Sequence, residues 1–282
     1  MVKVVLRRFG EIPEENVRDT VSVIQECYER LGPHGVEILD LLLFSDSSSM
    51  HSFYSRERSA LRVVSDDLGV SFIAMHDAWR GTSRIGVCMS RMNDLSPLVQ
   101  VGSLRHEVGH SVLHGSLEYY VFPISAPLIE AGKRLRLSKE YSFSLLYLIS
   151  IAVKDFEVTR LLSGKGYFDD QLAYSNHVLG TVNEDLDAWQ LSKGNPAGMA
   201  LCLAGRLKDA VCLIALQPRL SEQSVADTLR GQLLYLSHPI LDEMLKTLKR
   251  FQQAMTDDTF KNVAVMTKIF VEELLQPLFI QP

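Results

Sequence analysis

The sequence predicts an α+β fold: a small mixed sheet set beside one well-capped helix, followed by a mainly α-helical C-terminal lobe. Three observations carry this reading. Strand-like runs are confined to the first ~90 residues. A capped amphipathic helix occupies 97–114. From 141 onward the hydrophobic spacing is helical, with no convincing strand. The expected division is 1–166 for the sheet-bearing domain and 167–282 for the helical lobe.

Residues 2–6 read as a short strand. Residues 14–31 then place Val17, Val21, Ile24, Cys27 and Leu31 at helical spacing, and Gly32-Pro33 stops the helix. The run 36–44 is apolar apart from Glu37 and Asp40, as expected of a buried central strand. A serine-rich turn at 45–49 leads into a helix with Leu61, Val64 and Leu68 on one face, closed by Gly69. Two short strands are expected at 71–76 and 85–89. Ser96 caps the next helix with Pro97 at its first position, where the missing N–H costs nothing. It should run to His114 and stop at a left-handed Gly115. Further helices are expected at 129–135, 141–163, 183–192, 197–216, 222–236, 239–255 and 258–275.

Composition narrows the function. The 282 residues are 46% hydrophobic and 22% charged, a globular profile. A formal net charge of −5 and no basic stripe argue against a nucleic-acid partner. The longest apolar stretch, 145–153, is too short to span a bilayer, and the N-terminus lacks the pattern of a signal peptide. Cys27, Cys88, Cys202 and Cys212 show no paired spacing, which points to a reducing cytoplasm rather than a disulfide scaffold. Nothing in the sequence specifies an oligomer.

The chemistry lies in His106-Glu107-Val108-Gly109-His110. Histidines at i and i+4 stand one above the other on a helix and can share one Zn²⁺. Glu107, about 100° further round the helix, is placed as general base for a metal-activated water. A chain of this composition contains such a pattern by chance roughly once in eighty. Val101, Leu104, Val108 and Val112 form the apolar stripe that seats the helix. A third ligand is needed. A metzincin would have histidine six residues after His110 and glycine three after it, where Ser116 and Leu113 stand. The thermolysin-type Asn-Glu-x-x-Ser-Asp is absent as well.

The segment 154–160 supplies two acids. Asp155 shares its helix face with Leu148, Ile151, Ala152, Thr159 and Leu162 and should point inward, where a carboxylate must be paired or hold a metal. Glu157 lies among Lys154 and Arg160, suited to surface ion pairs, and is the fallback ligand. His114, one turn beyond His110, is a candidate to orient Glu107 or the water, or else a polar helix end facing the C-terminal dipole. His177, Tyr167 and Tyr174 are candidates to stabilise an oxyanion, with Glu118 a weaker candidate. His34, His51, His76 and His238 stand isolated.

The helix and its preceding elements are similar to those of zincin metallopeptidases. The longer run His-Glu-Val-Gly-His-Ser-Val-Leu-His, 106–114, resembles the gluzincin branch, especially peptidases of the ImmA/IrrE type. There, His-Glu-x-x-His-x-x-Leu-His precedes a helix carrying Glu-x-x-Ala-Asn. On that pattern Asp155 falls at the ligand position, Val158 at the small residue and Thr159 at the polar partner, with aspartate where the family has glutamate. Membrane peptidases of the HtpX type share a similar pattern but carry spanning helices. The resemblance covers about 14–163. It implies a soluble zinc metallopeptidase acting on an intracellular protein or peptide, with the strand at 85–89 edging the cleft. The alternative is a zinc-binding regulatory or interaction protein without turnover. A third reading is a helical protein with no metal.

Overall fold

A computed structural model describes residues 2–61 and 72–279. It divides into two units, 1–120 with 161–174 and 121–160 with 175–282, rather than by a single cut after 166. The expected continuation of the second helix through Val64 and Leu68 to Gly69, and the strand start at 71, lie outside the described residues.

The first unit contains β1 (Lys3–Phe9), α1 (Glu14–Leu31), β2 (Ile38–Phe44), α2 (Ser47–Leu61), β3 (Ala74–Asp77), β4 (Ser83–Cys88), α3 (Met89–Asn93) and α4 (Pro97–His114). The sheet order is β1-β2-β4-β3. β2 runs parallel to both β1 and β4, and β3 pairs antiparallel with β4. A strand flanked on both sides in a parallel sheet is covered on both faces, which explains the near-continuous leucines of β2.

The two faces sort by alternation. Leu42, Phe44 and Cys88 meet Met50 and Tyr54 of α2, with Phe9 stacked on Phe44 at 4.7 Å between ring centroids. Gly86 belongs to this face. A Cβ there would lie 2.4 Å from the Tyr54 hydroxyl, so the tyrosine ring occupies the place of a side chain. Ile85, Val87, Leu41 and Leu43 are fully buried on the opposite face, on the side of α4. α4 packs on α1, β3 and β4, and Tyr28 of α1 donates to Ser111 at 2.6 Å.

Two expectations change here. The strand at 85–89 does not edge the sheet: β4 lies between β2 and β3, every one of its residues is buried, and the edge belongs to β3. Gly115 is not left-handed, with φ at −77°. The glycine is required by crowding instead, since a Cβ would meet the Ser111 carbonyl oxygen at 2.2 Å and Ser83 Oγ at 2.8 Å.

The second unit is helical throughout its described residues. α5 (Ala126–Arg134) and α6 (Lys139–Gly164) precede α7 (Phe168–Leu179), α8 (Asn183–Ser192), α9 (Pro196–Ala215) and α10 (Glu222–Gln232). α11 (His238–Ala254) and α12 (Thr259–Ile269) follow. A π-helical segment, Phe270–Leu275, then leads into α13 (Gln276–Phe279). The last turn of α6 and the part of α7 up to Tyr174 belong to the first unit. α9 carries the core with Leu203, Leu207, Ala210 and Val211 buried. Its charged interruption is a buried ion pair: Arg206 reaches Asp185 of α8 at 3.2 Å and Asp209 at 3.1 Å.

Candidate metal centre

α4 begins as expected, with Pro97 at its first position, although the Ser96 side chain makes no capping bond. The helix is buried on more than its apolar stripe: Gly102, Ser103, Leu104, His106, Glu107, Val108, Gly109, Ser111 and His114 are all inaccessible. Two contacts with the start of α7 hold it. The backbone of Asp170 approaches so closely that a Cβ at Gly102 would lie 2.4 Å from its carbonyl oxygen, and Gln171 Nε2 donates to the Gly102 carbonyl at 3.0 Å. Arg105 pairs with Asp170 and with Glu26 of α1, its guanidinium lying 4.1 Å from the centroid of the Tyr167 ring. Burial pushes the Asp170 carboxyl up from its ordinary value, an effect that Gln171 and Arg105 oppose.

The two imidazoles of the motif come together as their spacing requires. The His106 and His110 rings are 4.8 Å apart, inclined at 75°, and His106 is 1% exposed. His110 Nδ1 lies 3.3 Å from His114 Nδ1, a hydrogen bond that turns the other ring nitrogen of His110 outward. Such a bond from the far ring nitrogen is what fixes the tautomer of a metal-ligating histidine. His114 is itself 1% exposed and set edge-on to Tyr119 at 5.2 Å, so it is an interior partner of His110 and not a solvated helix end. Glu107 is buried between the two histidines. The donor set of two imidazoles, one with its second nitrogen engaged, fits a divalent metal such as zinc.

Two further rings face this helix. Tyr174 lies 4.7 Å from His106, whereas Tyr167 is committed to Glu26, donating from its hydroxyl at 3.0 Å. His76, isolated in sequence, lies on edge strand β3 with its ring parallel to that of His110 at 6.2 Å. Only the strand pairing brings it there, so sequence spacing carries no signal for it. Glu118 is exposed, and Cys88 is a buried sheet residue near Ser47 and Ser90.

In the second unit the two candidate acids are differently placed. Glu157 is buried, and its oxygens accept from Asn262 Nδ2 at 2.6 Å and Thr259 Oγ1 at 2.8 Å. It therefore anchors the N-terminal turn of α12. The surface ion pair expected with Arg160 is absent among the described residues, since Arg160 pairs with Asp257 at 3.0 Å. Asp155 is half-buried, and one of its carboxylate oxygens lies within 4.8 Å of the Cys212 sulfur on α9. Thr159, one turn beyond Asp155, is fully buried and faces the same thiol. Burial pushes that thiol up, and Asp155 pushes it further, while Thr159 and Lys208 oppose this. Cys212 went unread in the sequence because it lies inside an apolar run. His177, also in this unit, is shifted down by burial.

No helix among the described residues is long and apolar enough to cross a membrane. No family model matches the chain, and no curated protein or solved structure matches it either.

Proposed function

We propose that the chain is a soluble, cytoplasmic zinc metallopeptidase with a zincin-like fold, cleaving an intracellular protein or peptide. The observation that carries the reading is the His106–His110 pair on one buried helix face, with Glu107 between them and His114 on His110 Nδ1. His106 and His110 would hold the metal, and the sequence pattern assigns the third ligand to Asp155. Glu157 is no longer the fallback of choice, because both its oxygens are engaged by α12. Bound zinc lowers the pKa of a coordinated water and polarises a peptide carbonyl.

The residues of the chain supply the rest. Glu107 takes the proton from the attacking water and passes it to the leaving amine, the work of a buried general base beside the site. His114 holds the His110 ring in one orientation. The exposed side of β3 lies along the metal-binding helix and offers an unpaired strand edge to an extended substrate backbone. Tyr174 and His76 are the ring groups at hand to donate to a developing oxyanion.

The test is zinc stoichiometry and peptide hydrolysis on the same preparations. Wild type should bind one zinc per chain, and His106→Ala, His110→Ala and Asp155→Ala should each lose it. Glu157→Ala should retain it. Glu107→Gln should retain zinc and lose hydrolysis by at least 100-fold, the scale of a missing general base. Hydrolysis undiminished in Glu107→Gln would remove the proposed role of Glu107. Zinc bound with no turnover in wild type against a broad peptide library would favour the regulatory alternative.

A further inference from the structure

We infer that Cys212 ligates the same metal ion as Asp155, so that the resting centre is closed by a thiolate. The inference rests on the reading of Asp155 as a ligand and adds a fourth donor to it. Both residues lie in the helical unit, Asp155 on α6 and Cys212 on α9, with carboxylate oxygen and sulfur within 4.8 Å. Metal–oxygen distances of about 2.0–2.2 Å and a metal–sulfur distance of about 2.3 Å let two donors this close share one ion after a small adjustment.

A second observation points to the same sulfur. Thr159 Oγ1 is fully buried and makes no hydrogen bond to another oxygen or nitrogen among the described residues, yet it faces Cys212. A buried hydroxyl left without a strong acceptor is costly. A neutral thiol is a weak acceptor, whereas a metal-bound thiolate is a good one, and ligands of this kind usually carry such an outer hydrogen bond. The neighbouring cation, Lys208, is held by Asp209 at 2.6 Å.

The consequence concerns regulation. His106, His110, Asp155 and Cys212 make four protein ligands, the number of a closed tetrahedral zinc site. A hydrolytic centre needs one position for water, so the thiolate must leave before the site can turn over. The chain is latent as it rests, and whatever shifts α9 relative to its neighbours on α6 activates it.

Cobalt(II) loaded into the full chain tests this directly. A thiolate ligand produces an intense near-ultraviolet sulfur-to-cobalt charge-transfer band beside the visible d–d bands. Wild type should show the band, Cys212→Ser should lose it while still binding cobalt, and Cys202→Ser should keep it. X-ray absorption on zinc-loaded wild type should show one sulfur neighbour at about 2.3 Å, a measurement that does not depend on any variant folding. Cobalt d–d bands without charge transfer and without sulfur scattering would overturn the thiolate and leave the proposed metal site standing. A band that survives Cys212→Ser would assign the sulfur elsewhere and overturn the inference. Failure of the full chain to take up cobalt or zinc at all would overturn both readings.

Discussion

Replacing Gly102 by alanine should destabilise the first unit, against the usual preference of helices for alanine. The added methyl would lie 2.4 Å from the Asp170 carbonyl oxygen, 3.0 Å from its carbonyl carbon and 3.0 Å from Tyr174 Cβ. Ordinary contacts are about 3.5–4.0 Å, so the start of α7 must withdraw by about an ångström. Overpacking of this kind costs about 1–3 kcal/mol. The withdrawal also stretches the 3.0 Å bond from Gln171 to the Gly102 carbonyl, worth about 1 kcal/mol. Set against these is the gain of about 1 kcal/mol for alanine over glycine inside a helix. The net expectation is a loss of about 1–3 kcal/mol. Gly205 of α9 is the control, because no atom lies within 4 Å of its added Cβ, and alanine there should stabilise by about 0.5–1 kcal/mol. The chain has two tryptophans, Trp79 in the first unit and Trp189 in the second. Urea unfolding followed by Trp79 in a Trp189→Phe background, and by Trp189 in a Trp79→Phe background, reads each substitution in its own unit. If Gly102→Ala proves as stable as its parent, the close approach of α7 to α4 is refuted.

Glu157→Ala should lower the urea midpoint reported by Trp189, with a cost of about 2–4 kcal/mol from two lost bonds to a buried carboxylate. An unchanged midpoint would refute its role as anchor of α12. Arg84→Met leaves Glu57 and Asp77 buried without their shared partner and should cost about 3–5 kcal/mol in the Trp79 transition. Burial holds Asp77 up at about 6 even with Arg84 present, so the orphaned acids protonate readily and the deficit should shrink from pH 8 to pH 5. A deficit independent of pH would contradict that origin. His177 has a folded-state value below its ordinary 6.5 because burial disfavours its charged form. Its contribution is therefore present above pH 6.5 and lost as the pH falls through the folded value. His177→Asn should flatten the fall in the Trp189 midpoint between pH 7 and pH 5, and an unaltered slope would exclude His177 as its source.

Much of the local structure was legible because it is locally encoded. Helix α1 keeps its expected limits, Glu14–Leu31, since Pro13 precedes it and Gly32-Pro33 ends it. The motif helix matches for the same kind of reason, and its histidine pair follows from helical geometry alone. What was not legible depends on partners distant in the chain. Strand order is invisible to periodicity, so the edge was assigned to β4 when pairing gives it to β3. Helix α7 escaped because its interior face is polar: Asp170, Gln171 and Ser175 are buried, which erases the apolar rhythm. Glu157 looked solvated beside Lys154 and Arg160, yet its partners Thr259 and Asn262 are more than a hundred residues away. Cys212 was hidden by the hydrophobic run around it.

The discontinuity of the first unit bears on how the chain is made. Its sheet and its histidine helix are complete at residue 120, but the piece that supplies Asp170, Gln171 and Tyr174 ends only at residue 174. At about 5–20 residues per second, those fifty-odd residues take roughly 3–10 s to synthesise. During that interval a nascent chain on the ribosome presents Gly102 and Arg105 without their partners from the start of α7. The sheet-bearing portion can collapse early, but α4 settles only after the excursion through residues 121–160 has been synthesised.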